Sequence, residues 1–457
     1  MFYNLPFDVA VIGAGASGAL VTAQFRRQAP EHGRLALIGA GPRAPRGVAY
    51  ETHYRTNLLN VAAGNMSAFP DDREHFARWL SAHLPGTDAR TFAPRALYGD
   101  YLADILAEDW PDPTVFTTPQ RAIGLYKESD QWVVYLDDGN TLAAHAVVLA
   151  LGNLAPNDPF SLGPETPSAY FRNPWAANVA DGLPPAAPVV LIGTGLTMVD
   201  VALALREQGH HGPLSAISQH GRLPQAHAAY SPRPLAQLPQ AFRAPHSALR
   251  WIRDEIRASA GNWRAVIDSL RPHTASIWQG WTLAQRASFL RHARNLWDIQ
   301  RHRMAPEIAA RLDELLKAGT LTISQGRPVA LETSENGLIV TWRESGSGAL
   351  HQARAARVMN CTGPNRDYRR VNSPLLTGLR QRGLLTTDPL HLGWKTDQRG
   401  QLIGANGSPV SGLFTIGPLR IPELWESVAI PEIRVQAAEL ATLLVSEIVQ
   451  YAQASAD

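Results

Sequence analysis

Hydrophobic positions near the N-terminus fall in two short runs, FDVAVIG (7–13) and RLALIG (34–39), around a segment of helical character that begins near Ala16. Apolar runs of this length that stop at glycine read as buried strands, so the stretch predicts one βαβ unit. The pattern returns in PVVLIG (188–193), with a helix through VDVALALREQG and a further strand, LSAIS (214–218). Between the two units DGLPPAAP (181–188) has the glycine and proline content of a linker, which puts a boundary near residue 180. Residues 235–318 read as helical. Thr282 and Gln285 have capping-box spacing ahead of FLRHARNLW, and Pro306 is expected to stop that helix. Along it Phe289, Ala293, Leu296 and Trp297 should face the core, leaving Arg291, Arg294 and Arg301 outward with Asp298 to pair with the last two. The strands LTISQG, LIVTW, VMNCTG (358–363) and LFTIGP (413–418) follow, then a long helix from about Pro431. The fold class expected is α/β, with two Rossmann-like dinucleotide-binding domains and a helical insertion at 235–318.

Composition narrows the functions open to this fold. The 457 residues, 45% hydrophobic, suffice for two or three cores. A net charge of +2 with 15 scattered histidines offers no basic stripe for nucleic acid, so small molecules are the expected partners. Cys361 is the single cysteine, which excludes an internal disulfide or a cysteine-pair redox centre and fits the cytoplasm. MFYNLPFDVAVIG carries no basic leader or cleavage site, and Glu439 and Glu447 interrupt AAELATLLVSEIVQYA, so neither a signal peptide nor a membrane span is expected. His210 and His211 are adjacent and His302 sits among arginines, which is not the spacing of a metal-ligand set.

The glycines carry the chemistry. In the first unit Gly13 permits the turn after the strand, Gly15 lets backbone approach a pyrophosphate, and Gly18 lets the helix pack closely; Ala16 and Ser17 supply helix N-terminal N–H groups to phosphate. The acid that usually holds the adenosine ribose is missing. Gly39 stands there, followed by AGPR, so ribose contacts are expected from backbone around Ala40. In the second unit Gly193 and Gly195 fill the first two roles, Leu196 and Thr197 open the helix, and Met198 replaces the third glycine, so the helix should stand further from its strand. SQHGR (218–222) has no acid to favour NAD, and His220 and Arg222 are the nearest cations for the 2′-phosphate of NADP. A degenerate half that binds nothing is the alternative.

PRGVAYETHYRTNLLNVAAGNMSAFPDDREHFARWL (45–80), RALYGDYL, ALGNLAP, GTGLTMVD, WDIQRHR, NCTGP and WESVAIPEIR together resemble the bacterial FAD/NAD(P)-binding protein family, which is related to the flavin-dependent N-hydroxylating monooxygenases. The resemblance spans nearly the whole chain. It implies an FAD domain made of residues 1–180 and 356–457, an NAD(P) domain over 181–355, and NADPH or NADH as the reductant. It also implies that Asn57, Leu59, Asn60 and Met66 lie near the flavin, Gly152 and Asn153 between the domains, and Gly417, Pro418, Glu426 and Ser427 at the far end of the ring. Leu59 and Met66 suit an ordinary core equally well. The activity implied is an NAD(P)H-reduced flavin oxidoreductase, with hydroxylation of a small amine by molecular oxygen preferred over reduction without oxygen transfer or nucleotide sensing. Arg271, His302 and Arg303 are candidates for an anionic group of the substrate, or alternatively for capping helix carbonyls.

Overall fold

The computed structural model describes residues 5–41, 44–52, 54–107, 114–160, 162, 166–175, 180–365, 367, 369, 371 and 373–454. Both expected βαβ units form. Phe7–Ile12 lies between Leu35–Ile38 and Thr141–Leu149, parallel to both, and Ala16–Gln28 is the helix that follows it. Val9, Ala10, Val11 and Ile12 are all buried, because a central strand covered on both faces has no solvent side. The C-terminal segment completes this sheet. Leu413–Thr415 pairs in parallel with Val147–Leu149, and the eight strands include Gln401–Ile403 at one edge and Val115–Thr118 at the other. The helix Ile430–Ala454 shares the core of Ala16–Gln28, its Ile433, Ala437, Leu440 and Leu444 clustering with Leu20 and Phe25.

The second sheet has seven strands around Val189–Ile192, which lies between Leu214–Ser218 and Arg357–Asn360. A break at 356 is corrected by this pairing. Arg357–Asn360 is an interior strand of the second sheet, and Tyr170–Phe171 lies on its other side, so the sheet draws strands from before 181 and after 355. The cause is the buried run RVMN, which needs parallel neighbours on both edges.

The helical segment forms, with two corrections. Thr282 and Gln285 make both bonds of the capping box, but the helix Leu283–His292 ends at Ala293 and a second, Arg294–Arg301, restarts at once. Pro306 terminates neither. It opens the helix Pro306–Lys317, in the first turn where a missing N–H leaves nothing unsatisfied.

The two halves are tied together beside the cleft. Asp200, on the helix Leu196–Glu207, receives Arg95 at 2.8 Å, and Glu207 accepts the N–H groups of Arg55 at 2.9 Å and Thr56 at 3.0 Å. Burial pushes the Asp200 carboxyl above its usual range despite the Arg95 charge beside it. The helix of the second unit is thereby anchored to the loop that carries Asn57, Leu59 and Asn60.

Candidate functional site

In the first unit the glycine spacing has a direct steric reading. Gly13 has φ +111°, and a Cβ there would lie 2.4 Å from the Ala150 carbonyl oxygen; one on Gly18 would lie 2.0 Å from the Gly13 oxygen. Strand, turn and helix therefore approach as a phosphate-binding turn requires. Among the described residues the N–H groups of Ala16 and Ser17 meet no acceptor, which leaves them for an anion. Gly15 faces Gly47, whose Cα would lie 3.6 Å from a Cβ on Gly15, so the segment around Gly47 lies over the turn.

Around Ala40 the backbone N–H groups are already engaged within the chain. The N–H groups of Gly39 and Ala40 both donate to the Thr118 carbonyl, at 2.9 and 2.8 Å, and that of Gly41 donates to the Gly39 oxygen.

The residues drawn from the family resemblance separate into groups. Leu59 and Met66 sit in the first core with Val9 and Phe25. Asn57 is fully buried. Its Nδ2 donates to Thr52 Oγ1 at 2.8 Å while its Oδ1 has no partner among the described residues, an orphaned acceptor that a bound group with N–H donors, such as a flavin ring, would satisfy. Ser427 Oγ donates to the Gly417 carbonyl at 2.6 Å, and the Gly417 N–H donates to Gln436, which fixes the turn that starts Gly417–Arg420. Gly417 also approaches the first motif, since a Cβ on it would lie 2.8 Å from Ser17 Oγ. Gly152, at φ +63° with open space beside it, directs the chain from Leu149 toward Asn153.

A cleft of about 830 Å³ joins the halves. Gly193, Gly195, Leu196, Thr197, His220 and Arg222 line one end, while Asn60, Asn153 and Pro418 reach it from the first unit and its C-terminal segment. Gly193 repeats Gly13, with φ +116° and a Cβ position 2.4 Å from the Cys361 oxygen. Nothing lies within 4 Å of a Cβ on Gly195, which leaves open space where a pyrophosphate would pass. The sequence did not show that Arg291, Arg294 and Arg327 line the same cleft. Arg222 Nη1 donates to Asn295 Oδ1 at 3.2 Å, so the helical insertion helps to aim it. His227, outside the cleft, donates through Nε2 to the Asn60 carbonyl, 3.0 Å away, and burial holds its pKa below the usual histidine value.

The structure parts the three residues expected to meet an anion. His302 lines the cleft, but Arg271 and Arg303 do not. Arg303 is buried and donates twice to Asp268, at 2.7 and 2.9 Å; Arg271 donates twice to Glu432 Oε1. Burial works against ionisation of Asp268, but hydrogen bonds from Arg303 and Tyr230 outweigh it and hold the carboxyl below its ordinary range. Both arginines thus cross-link the chain. Arg301 is corrected as well: it points inward, its side chain 11% exposed, and grips Glu426 through Nε and Nη2 at 2.9–3.0 Å, while Asp298 pairs with Arg294. Trp297 Nε1 also donates to Glu426, so that carboxylate is committed to the insertion.

Among the described residues no helix is long and apolar enough to cross a membrane, and no cluster of three metal-ligating side chains occurs. Residues 10–154 match the family described as FAD-NAD(P)-binding. No curated protein matches the chain. Among solved structures it is similar to ornithine N-hydroxylase from Kutzneria sp. 744, with TM-score 0.67 and 14% identity over 97% of this chain and 100% of that one. L-lysine 6-monooxygenase from Pseudomonas syringae gives TM-score 0.67 and 16% identity over 96% and 99%. Bacillithiol disulfide reductase from Bacillus cereus gives TM-score 0.59 and 12% identity over 97% and 100%. Residues 10–154 are therefore similar to the FAD-NAD(P)-binding family, and the whole chain has the fold shared by these hydroxylases and reductases.

Proposed function

We propose that the chain is an FAD-dependent NAD(P)H oxidoreductase that hydroxylates a small amine with molecular oxygen. One observation carries this reading: a single cleft is lined both by the second glycine motif and by Asn60, Asn153 and Pro418 from the half that holds the first. FAD bound to the first motif would supply hydride acceptance and oxygen activation. The chain's own residues place and shield. Ala16 and Ser17 present N–H groups to the pyrophosphate, and the Asn57 side-chain oxygen Oδ1, unpartnered among the described residues, can orient a ring N–H. Leu196 and Thr197 offer the same N-terminal groups to the nicotinamide coenzyme, and Arg222, Arg291, Arg294 and Arg327 give the cleft a positive lining that suits a 2′-phosphate. Of the expected anion set, His302 is the residue that lines the cleft.

Thiol chemistry fits poorly. Burial, with the Asp200 charge next, pushes the Cys361 thiol far above its ordinary value, so it is held neutral and has no second thiol to exchange with. Reduction without oxygen transfer is the second reading. The test is aerobic turnover of FAD-loaded protein with NADPH and a panel of primary amines, scoring hydroxylamine against hydrogen peroxide. Amine-dependent hydroxylamine supports the monooxygenase, whereas NADPH oxidation that yields peroxide alone with every amine contradicts it.

A further inference from the structure

A second cavity, of about 80 Å³, lies where the helical insertion meets Trp425 of the C-terminal segment. Trp278, Trp281, Phe289, Trp297 and Trp425 form much of its wall. Three of the indoles direct their N–H to groups fixed in the framework. Trp278 Nε1 donates to the Pro422 carbonyl at 2.8 Å, Trp281 Nε1 to the Phe242 carbonyl at 2.8 Å, and Trp297 Nε1 to Glu426 at 3.2 Å. Trp278 stacks on Trp425 with centroids 4.8 Å apart, and Phe289 meets Trp425 edge-on at 5.1 Å. Arg286 clamps the carbonyls of Trp278 and Trp281 from outside. The rings are fixed, and the surface left to an occupant is π face and aliphatic wall, with Thr274 and Gln300 as the polar exceptions. Thr274 is spent on the Arg271 carbonyl at 2.7 Å.

Two features tie this cavity to the reaction cleft. Leu296 lines both, so the two spaces share that residue in their walls. Trp425 adjoins Glu426 and Ser427 in the segment that closes on Gly417, and it is held at φ +60°, a backbone conformation costly for a tryptophan. A strained aromatic retained in the wall of an unfilled space runs against the close packing that protein interiors otherwise reach.

We infer that this cavity receives the apolar group of the substrate, and that the substrate class is a primary amine bearing a compact aromatic or branched aliphatic group. This rests on the amine-hydroxylase reading above. The group enters past Leu296 while the amine stays in the cleft near Pro418. The coenzyme does not suit the space, because its adenine and carboxamide edges would lose hydrogen bonds that the indole faces cannot replace. Linear diamines and basic amino acids are disfavoured for the same reason.

The test is calorimetric titration of the FAD-loaded protein with 2-phenylethylamine and with 1,5-diaminopentane. The expected result is binding of 2-phenylethylamine at least about tenfold tighter. Ala248→Phe, which places a ring in the cavity, should remove that advantage while flavin content and NADPH-driven flavin reduction stay normal; Ala248→Leu should reduce it in part, should the larger residue prevent folding. Equal affinity for the two amines, or 2-phenylethylamine affinity unchanged in the folded variants, overturns the assignment. Binding is read without turnover. Tight binding of 2-phenylethylamine with no hydroxylamine formed would therefore count against oxygen transfer and still support the cavity.

Discussion

The two glycine motifs share their turn and differ in what surrounds it. Gly13 and Gly193 have φ +111° and +116°, and each passes a carbonyl oxygen that would sit 2.4 Å from an added Cβ. Beyond that point they diverge. Gly18 is pressed against the Gly13 oxygen, whereas its counterpart Met198 is a fully buried side chain in the second core, so there the helix stands off far enough to seat a thioether. Gly15 lies under Gly47, while Gly195 faces open space in the 830 Å³ cleft. A turn covered by its own chain suits a cofactor that stays, and an open one suits a coenzyme that exchanges.

Substitution at the third position should expose this difference most strongly. Gly18→Val drives a side chain into backbone that cannot yield, and we expect loss of bound FAD with destabilisation of more than about 4 kcal/mol, seen in flavin content and denaturant midpoint. Met198→Ala removes buried volume instead, at about 2–5 kcal/mol, and should leave FAD bound. Equal flavin loss in both would erase the distinction. The interface between the insertion and the C-terminal helix comes next. Arg301→Ala strands the buried Glu426 and should cost about 3–5 kcal/mol, whereas Arg294→Ala, at the more exposed pair with Asp298, should cost at most about 1 kcal/mol.

Arg301 also shows where sequence reasoning stops. Local spacing offered Asp298 as its partner, but the partner it takes, Glu426, lies 125 positions away. The βαβ units, by contrast, were legible because glycine spacing and continuous apolar runs are local consequences of close approach and double-sided burial. The engagement of the Ala40 N–H by Thr118 was not legible, because no local pattern specifies the neighbour of that strand. Likewise nothing in the sequence around Arg327 places it beside Arg222, since the pairing of Leu321–Gln325 with Leu214–Ser218 does that.

Coenzyme choice gives a smaller effect confined to the open site. Arg222→Ala should lower the preference for NADPH over NADH several-fold, by about 1 kcal/mol, with FAD content unchanged; identical ratios of reduction rate would remove Arg222 from the site. Smallest is a pH effect in the second unit. His210 Nδ1 faces Arg206 at 3.1 Å and its Nε2 faces the Ala187 carbonyl at 2.9 Å, a fit for the neutral ring with its proton on Nε2. Burial, then the Arg206 charge, holds its pKa below the usual 6.5 even though the Ala187 bond opposes the shift. The unfolded chain therefore binds a proton that the folded one refuses, so this contribution is complete above about 6.5 and is lost as pH falls through the lower folded value. Melting temperature should drop across that acid window in wild type and drop less in His210→Gln.

The central claim is that the first motif holds FAD and the second brings the coenzyme that reduces it. Anaerobic mixing of FAD-loaded wild type and Gly195→Val with NADPH, followed by flavin absorbance, tests it most directly. The account expects rapid bleaching in wild type and none in the variant, which still carries its FAD. Unchanged bleaching in Gly195→Val, or loss of FAD from it, would contradict the assignment of the two sites.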